Sequence, residues 1–333
     1  MKPLKVGKLD SDVLKSIVID KITYKRSEVL TRAGIGEDCA VIDFGKYECA
    51  VSTDPITADV NDIGRLSIHI SCNDIASNGI QPLGITLACM LPEGTTEEDI
   101  SRIMEQAGRA AEQCGVEIIG GHTEVTRAVR QPVIVSTAFG RALRGASQSA
   151  KDMKPGDAIL LTKYAGLEGT GIIAADLRDE LKELSGEELS EADSLLDQVS
   201  VVKEGVIAGK IGTSGMHDVT EGGVFGAVWE MCHISGLGAE IDEARIPVKE
   251  VTKKIAAHYG INVFRLISSG CMLIAAHPEE AGKIQAEVSA AGIPITKIGE
   301  VKDADFGIMA WKDGALSPID PPEADELYRA VRA

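Results

Sequence analysis

The sequence predicts a two-domain α+β protein, and three observations predict it. A chain of 333 residues is longer than one compact core usually organises. Strand and helix patterns are mixed in both halves. Between them lies "RALRGASQSAKDMKPGD" (141–157), small, polar and carrying Gly and Pro, which sets the expected domains at 1–148 and 149–333.

The elements follow in order. "ECAVSTDP" (48–55) reads as a β segment ending in an acidic turn. "DIGRLSIHISCNDIASNG" (62–79) places Ile63, Leu66, Ile70 and Ile75 at helical spacing, with Asp74 near the helix end. "QPLGITLACMLP" is a strand bounded by prolines, and "TTEEDISRIMEQAGRAAEQCG" a helix with a Thr cap and a closing Gly. "VEIIGG" and "PVIVSTAFG" are further strands. In the second half "AILLTKYAG" is strand-like, "GTGIIAADLRDEL" and "GVFGAVWEMCHISG" are helical, "GCMLIAAHP" is a strand, "PEEAGKIQAEVSAAG" a helix and "ITKIGEV" a last strand. The acidic segment "DELKELSGEELSEADSLLDQ" (179–198) is expected to be a solvated helical hairpin.

Composition narrows the function. A formal net charge of −17, from 34 basic and 51 acidic residues, argues against nucleic acid or an anionic membrane as partner. The seven cysteines form no C-x-x-C pair and sit in apolar surroundings, as small core residues do in a reducing compartment. The first residues lack a leader's apolar stretch, and no apolar run approaches the ~20 residues of a membrane span. The expected location is cytoplasmic.

Four stretches combine a carboxylate with glycine, or in one case proline, where strand patterns give way to loops: "GIGEDCAV" (34–41), "STDP" (52–55), "CNDIASNG" (72–79) and "MHDVTEGG" (216–223). Carboxylates repel phosphate unless a hard cation lies between them, and Mg²⁺ takes oxygen ligands from one or two carboxylates plus phosphates. Nearby glycines let backbone N–H groups approach phosphate oxygens. The inference is a magnesium-nucleotide site lined by Asp38, Asp54, Asp74 and Asp218. Each stretch alone is more often an ordinary turn. Gly120-Gly121 could pass a phosphate or simply turn, and His122 could serve in acid-base work or be structural. His69, His217 and His233 have no partners at metal-ligand spacing, which argues against zinc. "GLEGTG" (166–171) lacks the Lys-Ser/Thr of a P-loop, and no complete dinucleotide fingerprint is present.

The order of the pieces is more specific than any member. "GIGEDCAVI", "STDP", "DIGRLSIHISCNDIASNGIQPLGI", "IIGGHTEV", "MHDVTEGGVFGAVWEM", "IPVKEV" and "SSGCMLIA" together resemble the superfamily of aminoimidazole ribonucleotide (AIR) synthetase, thiamine-monophosphate kinase, selenophosphate synthetase and the hydrogenase maturation protein HypE. The match covers nearly the whole chain; "MHDVTEGG" and "IPVKEV" look closest to HypE, and "GGHT" also looks like selenophosphate synthetase. The resemblance implies an N-terminal domain that forms a dimeric β-barrel with its twin and a C-terminal α/β sandwich-like domain. ATP with Mg²⁺ would bind at the domain and subunit junction. Carried over, Asp38, Asp54, Asp74 and Asp218 match metal and phosphate aspartates. Thr53, Gly120, Gly121, Thr123, Thr220, Gly222 and Gly223 fall on nucleotide-proximal turns, and Asp74 and His122 take the catalytic places. His122 is a departure, standing where related members usually have an acidic residue, so a ligand is missing or replaced by Glu124.

The function so implied is HypE-like: ATP-dependent activation of a carboxamide or similar group by phosphoryl transfer, in a homodimer, with an acceptor that is a small molecule or borne on a protein. The alternatives are a small-molecule kinase or synthetase of the thiamine-monophosphate or AIR branch, and a nucleotide-binding maturation or scaffold protein without turnover. HypE-like proteins end in a flexible tail whose terminal cysteine accepts a carbamoyl group. This sequence has no cysteine after Cys271 and closes on "PPEADELYRAVRA", so the expectation is that it does not run the tail chemistry and acts on a free substrate or in another maturation role.

Overall fold

Apolar alternation in the first half builds one sheet, and nearly continuous apolar strands in the second half build another. The computed structural model describes residues 9, 11–57, 62–322 and 324–331. Residues 1–8, to which the expectation about a leader applies, and Arg332 and Ala333 of the tail lie outside these.

After α1 (Ser11–Ile17) come β1 (Val29–Thr31), β2 (Ala40–Phe44), β3 (Tyr47–Ile56), α2 (Ile63–Ser77), β4 (Pro82–Leu91), α3 (Glu97–Cys114), β5 (Glu117–Val125) and β6 (Val133–Leu143). The six strands form a mixed sheet in the order β1-β2-β3-β6-β4-β5, with only the β4–β5 pair parallel. Its edges are open at β1 and β5, and no closed barrel forms among the described residues. Helix α3 begins at a capping box, Thr96 with Asp99, and ends on left-handed Gly115, as its sequence predicts.

Helix α2 is buried on almost every side, because β3 and β6 pack under it, α3 beside it, and elements of the second domain over it. Its polar residues are accommodated by specific bonds. Ser71 Oγ pairs with Ser136 Oγ at 2.8 Å, while Asn73 donates to Val199 O and accepts from Val201 N, both at 2.8 Å.

The second half runs β7 (Ala158–Thr162), α4 (Leu167–Asp176), α5 (Gly186–Leu195), α6 (Val202–Ile211), β8 (Gly215–Val219), α7 (Gly223–Ser235), β9 (Gly238–Asp242), α8 (Glu250–Tyr259), β10 (Cys271–Ala276), α9 (Pro278–Ala290), β11 (Ile295–Lys302), β12 (Ile308–Lys312), β13 (Ala315–Pro318) and α10 (Leu327–Ala330). Its seven-stranded sheet has the order β13-β12-β9-β11-β7-β10-β8, with β12 and β9 parallel. Two expectations are corrected. "ITKIGEV" is not the last strand, since a hairpin of β12 and β13 follows, closed by Asp313-Gly314 at positive φ. The 179–198 segment is not a solvated hairpin: Leu181, Leu184 and Ala192 are buried with residues of α4 and α8 in a second apolar cluster, and Leu195 is buried in the larger one.

A single larger apolar cluster runs from Ile63 and Ile134 under the first sheet to Leu160 and Ile274 in the second. No helix among the described residues is long and apolar enough to cross a membrane.

Candidate functional site

Four segments from both domains converge at the C-terminal end of α2. Asp74 lies in its last turn, Asp54 on β3, Asp38 in the loop before β2 and Asp218 on β8. Strand alternation turns Ser52 and Asp54 to the side of buried Ala50 and Ile56, which faces α2. Ser52 Oγ hydrogen-bonds Asp74 Oδ2 and lies 3.4 Å from Asp54 Oδ2. Ser77 Oγ donates to Asp38 Oδ2 at 2.8 Å, and Cys39 Sγ to the Asp74 carbonyl at 3.1 Å, so the loop is pinned to the helix end.

His217, next to Asp218 on β8, enters the same group. Its Nδ1 stands 3.3 Å from Asp38 Oδ1 and 3.8 Å from Asp218 Oδ1, and its Nε2 is 3.0 Å from Glu230 Oε2 on α7. Neither Nδ1 contact has hydrogen-bond geometry: Nδ1 and Asp218 Oδ2 are buried without a hydrogen-bond partner. One ligand atom each from Asp38, His217 and Asp218 lies within 4.8 Å of the others.

The carboxylates of this cluster disfavour one another's charge. Burial pushes the Asp38 carboxyl up to about 7, with His217 opposing and Asp218 adding to the rise. Burial, then Asp218 and Asp54, raise Asp74 well above the ordinary carboxyl range. Burial works against charge on His217, but Asp38, Asp218 and Glu230 outweigh it and raise the imidazole well above its usual value. The carboxyl end of α2 adds the negative pole of a helix. Carboxylates crowded at such a pole are relieved by positive charge.

Other expected site residues are placed elsewhere. Thr53 points to the opposite face of the sheet, where its Oγ1 meets Thr137 Oγ1 at 3.0 Å. Gly120, Gly121, His122, Thr123 and Glu124 lie on β5, the exposed edge. Asp54, Ser136, Leu87 and Gly121 form one row across the sheet. Three strand spacings put Gly121 roughly 14 Å from Asp54 in the same chain. His122 Nε2 is 3.5 Å from Glu124 Oε2. Thr220, Gly222 and Gly223 make the turn from β8 into α7. The Gly222 N–H is donated to Asp325 Oδ2 at 2.7 Å. Asp325 Oδ1 also accepts from Ile267 N and Leu327 N, which seats the segment leading into α10 on this turn.

Sequence reasoning missed His217, Glu230, Ser52, Ser77 and Asp325. The argument that His217 lacks partners is corrected, since Asp38 and Glu230 reach it from distant segments. The adjacent pair His217-Asp218 was the available signal. His69 instead meets Cys114 Sγ at 3.3 Å, and His233 stacks on Trp229. Cys271 is fully buried, its Sγ donates to Tyr164 O, and burial pushes its thiol up to about 12, which leaves it inert.

Comparison with known proteins agrees with this architecture. The N-terminal domain model of AIR synthase related protein matches residues 36–142, and the C-terminal domain model matches 154–312. The carbamoyl dehydratase HypE of Bradyrhizobium diazoefficiens is 30% identical over 305 residues, covering 88% of this chain and 86% of that protein. HypE in a HypE–HypF complex has a similar fold, with a TM-score of 0.76 at 24% identity over 93% of this chain and 99% of that one. HypE in complex with ATP gives 0.73 at 22% identity over 98% and 97%. With its two matched domains and its carboxylate cluster at their junction, the chain belongs to the AIR synthase-related family as a HypE-like member.

Proposed function

We propose that this chain binds ATP with a divalent cation at the Asp38–Asp54–Asp74–Asp218 cluster and transfers a phosphoryl group to an oxygen of a carboxamide or related group. The observation that carries the reading is the convergence of these aspartates from four segments into one site with orphaned polar atoms. A relative named carbamoyl dehydratase and a relative's structure with ATP support the same class of reaction.

When bound, the cation supplies positive charge to phosphate oxygens. Everything else falls to the chain. Asp54 and Asp74 face each other through Ser52, and Ser77 fixes Asp38. Asp74, its proton affinity raised by burial, takes a proton from the amide nitrogen as the carboxamide oxygen attacks the γ-phosphorus, the new O–P bond forming while the bond to the departing ADP oxygen breaks. Orientation and pre-arranged charge supply most of the acceleration in such transfers.

His122, Thr123 and the β5 glycines take part only if a second copy brings them over, so we propose a homodimer through the first sheet, whose two copies complete the barrel. Phe44, Leu83, Ile119 and Leu143 on this sheet are large, apolar and more than half exposed, which supports a covered surface. Light scattering at micromolar concentration is expected to give twice the chain mass; a monomer mass would count against it.

Calorimetry with and without Mg²⁺ tests the site. Asp54→Asn or Asp74→Asn is expected to weaken Mg-ATP binding by about tenfold or more, with melting curves taken without nucleotide to exclude unfolding. Unchanged binding in both variants removes the assignment. ATP binding without hydrolysis against any acceptor would leave a nucleotide-binding maturation protein.

A further inference from the structure

His217 has the environment of a metal ligand. Its ring is 4% exposed and Asp218 only 1%, so the orphaned Nδ1 and Oδ2 have no compensating solvent. With Nε2–H donated to Glu230, the Nδ1 atom is aimed at Asp38 and Asp218. A carboxylate that orients a histidine by its far nitrogen is the usual support of a metal-bound imidazole. Ser77 fixes the second oxygen of Asp38 in the same way, leaving Oδ1 inward.

The spacing agrees. Ligand atoms bonded at 2.0–2.2 Å to one tetrahedral cation stand about 3.4 Å apart. The observed separations from Nδ1 are 3.3 and 3.8 Å. One nitrogen and two carboxylate oxygens form a donor set that first-row transition cations accept and that Mg²⁺, which demands oxygen, does not favour.

We propose that Asp38, His217 and Asp218, backed by Glu230, form a nitrogen-containing site for a divalent first-row transition cation, in preference to Mg²⁺. This rests on the cation-binding reading above and assigns one of its positions a different class of metal. The competing explanation makes His217 a fixed positive charge that neutralises the carboxylates. The two differ in sign. As a ligand, His217 contributes affinity; as a fixed charge, it repels the incoming cation, and removing it would tighten binding.

The probe is Co²⁺ alone, added without nucleotide to the full chain after chelator stripping. Equilibrium dialysis is expected to find one Co²⁺ per chain, with visible ligand-field absorption that an equal concentration of Mg²⁺ does not abolish. His217→Gln should lower Co²⁺ affinity by about tenfold or more and shift the absorption, and Glu230→Gln by about tenfold. If His217→Gln does not fold by circular dichroism, Glu230→Gln alone decides. Absence of bound Co²⁺, or equal or tighter binding with an unchanged spectrum in the deciding variant, overturns the proposal. Mg-ATP binding is measured separately on the unaltered chain. Its absence with Co²⁺ bound overturns the proposed function and leaves this site standing; the reverse result overturns this site alone.

Discussion

Asp325 is a carboxylate held by three backbone N–H groups and 3% exposed. Burial pushes it up to about 6 against those donors, from an ordinary 3.8. The folded state therefore binds its proton more tightly than the unfolded state. The contribution is fully present below about pH 4 and is lost as pH rises through about 6, up to about 3 kcal/mol. The melting-temperature advantage of the parent over Asp325→Asn is expected to shrink between pH 4 and 7; a constant difference would refute the coupling. Asp325 was invisible in the sequence because its partners, Gly222 and Ile267, lie far along the chain. Asp38, Asp54, Asp74 and Asp218 were singled out because each stands beside turn-forming residues at the end of an apolar run. His217 is harder to read, because beyond its neighbour Asp218 its partners Asp38 and Glu230 come from distant segments.

The turn into α7 makes a contrast at the scale of an element. Gly223 and Gly260 both have φ +61°, yet a Cβ at Gly223 would stand 2.6 Å from Phe264 O and 2.8 Å from Leu266 O, while at Gly260 it meets nothing within 4 Å. Gly260→Ala is expected to cost about 1 kcal/mol, from backbone conformation alone. Gly223→Ala adds a collision with main chain and is expected to cost about 2–4 kcal/mol. Equal losses in denaturant titrations would show that the main chain yields. Glycines in "TEGG" thus have a packing reason that a phosphate-loop reading does not need. Long periodic elements such as α2, α3, α7 and α9 were legible. The four-residue β13 was not, because so short a strand carries no period, although the Asp313-Gly314 turn announced its hairpin. The 179–198 segment misled because its charges mask Leu181, Leu184 and Leu195, which face inward.

Across the whole molecule, the apolar cluster is continuous between the two sheets, and Asn73 bonds both Val199 and Val201 across the junction. Neither domain can lose its packing without exposing the other's. Scanning calorimetry is expected to show one transition in which both domains unfold together; two resolved transitions would contradict it. The two-domain class was legible from length and the polar stretch near residue 150. The intimacy of the junction was not, since α2 carries Ser67, Ser71 and Asn73 where an exposed face was equally consistent with the pattern.

Helix α2 also acts as a lever. Its last turn holds Asp74, and one residue earlier Asn73 is clamped to the 199–201 loop of the other domain. A change of side chain in that loop would tilt the helix end by a fraction of an ångström and so re-aim the carboxylate from a distance. Under the proposed function, activity would then be tunable, in evolution or in the laboratory, at positions outside the Asp38–Asp54–Asp74–Asp218 cluster.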